Sequence, residues 1–77
     1  MEDKIINVMA SVLGVEENQI SEDTSPDTVE TWDSLQHMNL VAALEEEFKI
    51  SLSDEEIREM MNYKLIRLII REKVVLK

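Results

Sequence analysis

The residue with the clearest chemical potential is a serine that directly follows an aspartate at the start of a predicted helix. Trp32, Asp33, Ser34 and Leu35 follow one another in that order. Asp-Ser pairs are common helix caps, and capping is the simpler interpretation of these residues alone. The Ser34 hydroxyl nevertheless ends a long polar loop, beside backbone N–H groups that have no partner within the helix. Because the positive end of the helix dipole would stabilise a phosphate esterified there, the position also favours a phosphoserine-type attachment.

The only histidine, His37, lies one helical turn after Ser34. A hydroxyl and a base at this spacing could form a nucleophilic pair. The chain has a single glycine, so no glycine-rich oxyanion loop is available, and no residue is placed to orient the base. We therefore predict no catalytic residue and no enzyme, and we interpret His37 as a surface or half-buried helix residue.

Acidic residues before this helix could hold a divalent cation. They are Asp23, Asp27, Glu30 and Asp33. The ligand order and the central glycine of a helix–loop–helix calcium site are absent, so we predict no dedicated metal site.

The first helix and a long loop must position Ser34. Apolar residues at three- and four-residue spacings predict a helix from about Glu2 to Leu13, and Gly14 stands where a left-handed C-cap is favoured. Residues 14–33 are rich in turn-forming residues and predict a loop that has room for a short helical turn. The apolar residues expected to anchor this loop to the core are Val15, Ile20, Val29 and Trp32.

The second helix is predicted to begin after the cap residue Asp33, with Gln36 completing a capping box. We expect an apolar stripe along this helix to face the core. The stripe consists of Leu35, Met38, Val41, Leu44 and Phe48, widened by Leu40.

Two shorter predictions complete the fold. Ser53 and Glu56 form a second capping box, which opens a short third helix that ends near Met61. A last helix runs from about Tyr63 to Val74, and its basic outer stripe is interpreted as a solvated face. That stripe consists of Lys64, Arg67 and Arg71. The expected fold class is all-α: a small four-helix bundle with a long loop between helices one and two.

Composition narrows the function. The 77 residues predict one domain, 1–77, with a formal charge of −9 and no cysteine. These features exclude a disulfide framework or zinc finger and argue against nucleic acid as the ligand, because phosphate binding needs cationic surface. No run approaches the ~20 apolar residues of a membrane span. We interpret residues 5–15 as structure and not as a signal segment, and we expect a monomer in the cytoplasm.

The stretch from Trp32 to Leu52 resembles an acyl carrier protein. The resemblance rests on Asp33-Ser34-Leu35 and on the following helix, whose residues 40–48 read LVAALEEEF. Together with the helix stop at Gly14, the acidity and the length, it covers essentially the whole chain.

The resemblance implies a cofactor and a role. A phosphopantetheinyl transferase would attach 4′-phosphopantetheine from coenzyme A to Ser34, between Asp33 and Leu35. The terminal thiol of the arm would carry an acyl group as a thioester, and the protein would present that group to enzymes without doing chemistry itself. The working thiol would then belong to the cofactor, which agrees with the absence of cysteine.

The resemblance also implies that the second helix docks on basic patches of the transferase and of acyl-transferring or acyl-modifying enzymes. Residues 5–48 hold ten acids and neither Lys nor Arg. We expect Glu45 and Glu46 to face water and bind these patches, and Leu35 and Ala42 to supply apolar contact beside the arm. The alternative is that the glutamates only keep the helix soluble.

Departures from the carriers of fatty-acid synthesis predict a specialised acyl or polyketide-type pathway. Thr31 and Trp32 replace small residues of those carriers, and Gln36 and Asn39 replace acids. Two alternatives stay open. One is a peptidyl or aminoacyl carrier of the same fold, and the other is a non-modified acidic helical adaptor that binds basic partners.

Overall fold

Four helices and one short 3-10 turn form the computed structural model, which describes residues 2–76. The predicted domain 1–77 includes Met1 and Lys77, which lie outside the described residues. The helices are α1 (Glu2–Leu13), α2 (Ser34–Phe48), α3 (Asp54–Glu59) and α4 (Tyr63–Leu76), and the 3-10 turn spans Glu17–Gln19. Every regular element in this range is helical, which confirms the prediction of an all-α bundle with a long first loop and a short third helix.

The helix ends follow their local signals closely. Gly14 has a φ of 71°, and its N–H donates to the Ala10 carbonyl at 2.9 Å, so it is the left-handed cap that ends α1. The structure corrects two predicted boundaries. Helix α3 stops at Glu59, two residues before the predicted end, because the fully buried Met60 has left helical geometry. Helix α4 continues two residues beyond Val74.

The core draws on α1, α2, α4 and the loops, while α3 contributes only the partly buried Ile57. Its largest fully buried side chains are Ile5, Met9, Leu13, Leu40, Leu44, Met60, Ile66 and Ile70. The prediction that the whole apolar stripe of α2 faces the core is wrong near the start of the helix, where Leu35 is 71% exposed and Met38 is 53% exposed. At about 100° per residue, Leu35 lies on the opposite side of the helix from Leu44. The buried face is therefore narrower than predicted, and apolar side chains remain at the surface near Ser34.

The long loop is pinned to the bundle as predicted. Ile20 and Trp32 are buried, while Val15 and Val29 are half-buried against the core. A further anchor comes from Thr24, which is itself buried and whose carbonyl accepts the Tyr63 N–H at 3.0 Å. The middle of the loop is thereby fixed to the start of α4.

The basic stripe of α4 is not simply solvated, which corrects the prediction. Arg67 contacts the Glu22 carboxylate at 2.7 Å and Glu2 at 3.4 Å, and Arg71 also contacts Glu2 at 3.4 Å. The hydrogen bond and charge of Arg67 lower the pKa of Glu22. These ion pairs form because the bundle brings the loop and the start of α1 against α4, which sequence spacing does not reveal.

Candidate functional site

At the start of α2, one residue caps the helix and the serine that follows it does not. Asp33 is the N-cap, with extended backbone geometry, and its Oδ1 accepts the Gln36 N–H at 2.8 Å. Ser34 is the first residue of the helix and is exposed. Since Asp33 fills the capping role, the Ser34 hydroxyl is not needed to cap α2.

Two side chains tie this junction to the end of α1. The Thr31 hydroxyl donates to the Leu13 carbonyl at 2.6 Å, and the Gln36 side-chain amide donates to the Val12 carbonyl at 3.2 Å. The predicted capping box is therefore only half formed, because the Gln36 side chain reaches α1 instead of the Asp33 N–H. Both contacts hold the backbone on either side of Ser34 against the scaffold.

His37 is bonded at both ring nitrogens. The Trp32 indole Nε1–H donates to His37 Nδ1 at 3.0 Å, and His37 Nε2 lies 2.9 Å from the Ile57 carbonyl. An indole nitrogen only donates and a carbonyl only accepts, so the ring carries its proton on Nε2. Half-buried His37 has no free nitrogen with which to act as a base on Ser34, which agrees with the interpretation of His37 as non-catalytic.

An apolar groove of about 520 Å³ opens beside Ser34, between the start of α2 and α3. Its apolar lining comes from Pro26, Trp32, Met38, Ile57, Met60 and Met61. The sequence does not reveal this groove, because its walls come from separate segments that meet only in the folded chain. Of the residues that line it, Met38 had been assigned to the core by the apolar spacing along α2, whereas the structure leaves it exposed in the groove wall.

The outward face of α2 is a continuous strip that we call the α2 face: Leu35, Asn39, Ala42 and Glu46, all exposed and spaced at three or four residues. Glu45, predicted to face water with Glu46, is half-buried. Its carboxylate accepts the Leu52 N–H at 2.8 Å, so it closes the loop after α2. The structure thus places three of the four predicted partner residues on one face and gives Glu45 a structural contact.

The acidic residues before α2 that were considered as cation ligands do not form a metal-binding cluster. Among the residues that the structure describes, no group of three or more His, Cys, Asp or Glu side chains is arranged to hold a metal ion. The helices of this range are also too short or too polar for any of them to cross a membrane.

The arrangement at Ser34 suits a covalently attached phosphate ester. The site offers an exposed hydroxyl at the N-terminus of a 15-residue helix, where the dipole favours a phosphate, and it borders an open apolar groove. Among the described residues that line the groove, none covers Ser34. A long arm attached to its hydroxyl would therefore not be blocked by them.

Two comparisons with known proteins agree with this geometry. A family model described as "Phosphopantetheine attachment site" matches residues 3–71, a segment that contains Ser34 and the whole of α2 and α3. The chain is also similar to the solution NMR structure of a holo acyl carrier protein from Geobacter metallireducens. The TM-score is 0.87 with 25% sequence identity, and the match covers 97% of this chain and 86% of that one.

Proposed function

The chain belongs to the phosphopantetheine attachment family of acyl carrier proteins, and we propose that Ser34 is the residue that bears its 4′-phosphopantetheine arm. The family and the fold are those of a carrier and not of an enzyme. One observation carries the assignment to Ser34: this hydroxyl is exposed at the first residue of α2, while Asp33 performs the capping. Leu35 follows it on the surface and is the apolar residue nearest in sequence to the arm.

Attachment is a phosphoryl transfer in which the Ser34 hydroxyl oxygen forms a new bond to the pantetheine-linked phosphorus of coenzyme A. The pyrophosphate bond of coenzyme A breaks, adenosine 3′,5′-bisphosphate leaves, and the hydroxyl proton passes to a base of the transferase. When bound, the arm supplies a terminal thiol that holds cargo as a thioester. The residues of this chain contribute an accessible oxygen, a rigid helix start and a favourable dipole.

The proposed cargo is an acyl group of a specialised pathway. On α2, the surface that follows Ser34 is apolar or neutral, since Leu35, Met38, Asn39 and Ala42 are exposed. The first turn of α2 contains no acid. An enzyme that selects its carrier by acids in this turn would find none here, so we propose that partners of this protein use apolar contacts beside the arm in addition to the charge of Glu46.

Partner enzymes and the transferase are proposed to dock on the α2 face through basic patches. Glu46 is exposed on this face and supplies the charge, and Ala42 and Leu35 lead from it towards Ser34. Glu45 supports the docking surface indirectly by holding the loop at Leu52. We propose that this exchange takes place in the cytoplasm, with the protein acting as a monomer.

The proposal is tested by intact mass after incubation with coenzyme A and a phosphopantetheinyl transferase. The expected result is a gain of one phosphopantetheine by the wild-type chain and none by Ser34→Ala. Ser53→Ala is the matched control, because it removes the other helix-start serine and should be modified normally. A wild-type chain that gains no mass with several transferases would contradict the proposal and favour a non-modified adaptor.

A further inference from the structure

The only tryptophan and the only histidine of the chain meet beside the proposed attachment site. Trp32 is 3% exposed, although it lies in the loop two residues before Ser34. Its indole N–H contacts His37 on α2, and His37 contacts the Ile57 carbonyl on α3. The end of the loop, α2 and the more distant α3 are therefore joined through one imidazole ring, which we call the His37 bridge.

Only one protonation state of His37 satisfies both contacts. The 3.0 Å contact requires a lone pair on Nδ1, because the indole nitrogen has a proton and cannot accept. The 2.9 Å contact requires a proton on Nε2, because the Ile57 carbonyl cannot donate. The neutral ring with its proton on Nε2 meets both requirements. The rings of Trp32 and His37 lie 21° from parallel with their centroids 6.1 Å apart, so the contact also fixes the plane of the imidazole.

The bridge spans the groove beside Ser34. Trp32, His37 and Ile57 all line this groove, and Ser34 lies on its edge. On one side, the bridge fixes the loop residue that precedes the Asp33 cap. On the other side, it fixes the second half of α3, whose end leads to Met60 and Met61 in the groove wall. His37 therefore links the loop to α3 by hydrogen bonds on both sides of its ring.

We propose that His37 is a positioning residue that holds the Ser34 junction and α3 in register through its neutral Nε2–H form, and that protonation at Nδ1 releases the Trp32 side of this link. This proposal rests on the proposed function in one respect: it takes Ser34 as the attachment site whose position the bridge fixes. Protonation would set two N–H donors against each other and leave the buried indole N–H without an acceptor. The Ile57 contact survives protonation, since Nε2 remains a donor.

The charged groups near the His37 ring do not take over its link between Trp32 and Ile57. The groove-lining residues with charge are Asp33, at the start of the same helix, and Arg58 from α3. They have opposite signs, and the Asp33 carboxylate is engaged by the Gln36 N–H. The loop contributes Pro26 and Trp32 to this lining, which are uncharged.

Nuclear magnetic resonance on the unmodified chain tests the bridge without any arm or partner. Long-range 1H–15N spectra of the His37 ring should show the Nε2–H tautomer at neutral pH, with a slowly exchanging Trp32 indole proton. When added acid protonates the His37 ring, the indole signal and the Ser34 amide signal should shift in step with the ring. His37→Gln, which can accept and donate but does not titrate, should abolish this shift. An Nδ1–H tautomer, or a ring that titrates while the Trp32 and Ser34 signals stay fixed, would overturn the proposal.

Attachment kinetics supply the functional readout. His37→Phe keeps an aromatic ring but removes both hydrogen bonds, and it should raise the KM for the protein in the transferase reaction by about fivefold, the factor of one net hydrogen bond. The kcat should change less, and His37→Gln should restore much of the loss. Equal KM values for wild type and His37→Phe would contradict the positioning role. A wild-type chain that accepts no arm would instead overturn the proposed function, while the spectra would still test the bridge.

Discussion

The starts of α2 and α3 use serine in opposite ways. At α3, the Ser53 hydroxyl accepts the Glu56 N–H at 3.1 Å, and the Glu56 carboxylate accepts the Ser53 N–H at 2.9 Å. That hydroxyl is committed to the fold. At α2, Asp33 takes the capping position, and the serine is shifted one residue into the helix, where it is exposed. Position relative to the cap, more than residue type, decides whether a serine at a helix start is structural or available for modification.

Charge reversal should have the largest effect, and the effect on the attachment rate should differ between α2 and α3. Glu46→Lys on the α2 face and Glu55→Lys on α3 change the net charge equally at exposed positions. We expect Glu46→Lys to slow attachment of the arm to Ser34 by about tenfold at low salt, because rim charges act mainly on association rate. Glu55→Lys should have little effect. The measurement is the transferase rate across a salt series.

The attachment rates of the same two variants at different salt concentrations also show whether the effect is specific to the α2 face. Added salt should bring the Glu46→Lys rate closer to that of wild type, since exposed charges are screened. If both variants slow attachment equally, the enzyme senses total charge and the α2 face has no special role.

Replacing the two serines by alanine should have different effects on stability. Ser53→Ala removes a cap and should lower the free energy of unfolding by about 1 kcal/mol. Ser34→Ala removes no capping contact and places a better helix former in α2, so stability should be unchanged or slightly raised. Urea unfolding followed by circular dichroism measures both values. An equal loss in both variants would mean that Ser34 has a structural role and would erase the distinction between the two helix starts.

Acid should weaken the α3 start through Glu56. The Ser53 N–H and the Lys73 ammonium lower the pKa of Glu56 below its ordinary value of 4.5. A carboxyl with a lowered pKa in the folded state stabilises the protein above its ordinary pKa, and this contribution disappears as the pH falls through the lowered value. The stability advantage of wild type over Glu56→Gln should therefore be full at pH 7 and shrink below about pH 4.5. Unfolding curves at several pH values measure it, and an advantage that persists at pH 2 would exclude this origin.

Helix positions were predictable because their signals are local. Asp33, Ser53 and Gly14 each mark a helix end by residue type, and all three perform the predicted capping role. The resemblance to acyl carrier proteins rested on a contiguous stretch around Ser34. Neither inference needed knowledge of which segments meet in space.

Contacts between segments were not predictable from the same patterns. Gln36 fits a capping box by spacing, yet its amide finds the Val12 carbonyl on α1. Glutamate is usually a surface residue, yet the loop after α2 folds back so that the Leu52 N–H donates to the Glu45 carboxylate. The pairing of Trp32 with His37 and the groove beside Ser34 also depend on where α3 lies. Such features follow from tertiary packing, which sequence periodicity does not encode.

We propose that the available serine at α2, and not the capping serine at α3, receives the arm. Fragmentation mass spectrometry of the wild-type chain after incubation with coenzyme A and a transferase tests it most directly. Every modified fragment should contain Ser34, and fragments that contain Ser53, Ser21 or Ser25 without Ser34 should keep their unmodified mass. A phosphopantetheine mass on any of those three serines, with Ser34 unmodified, would contradict it.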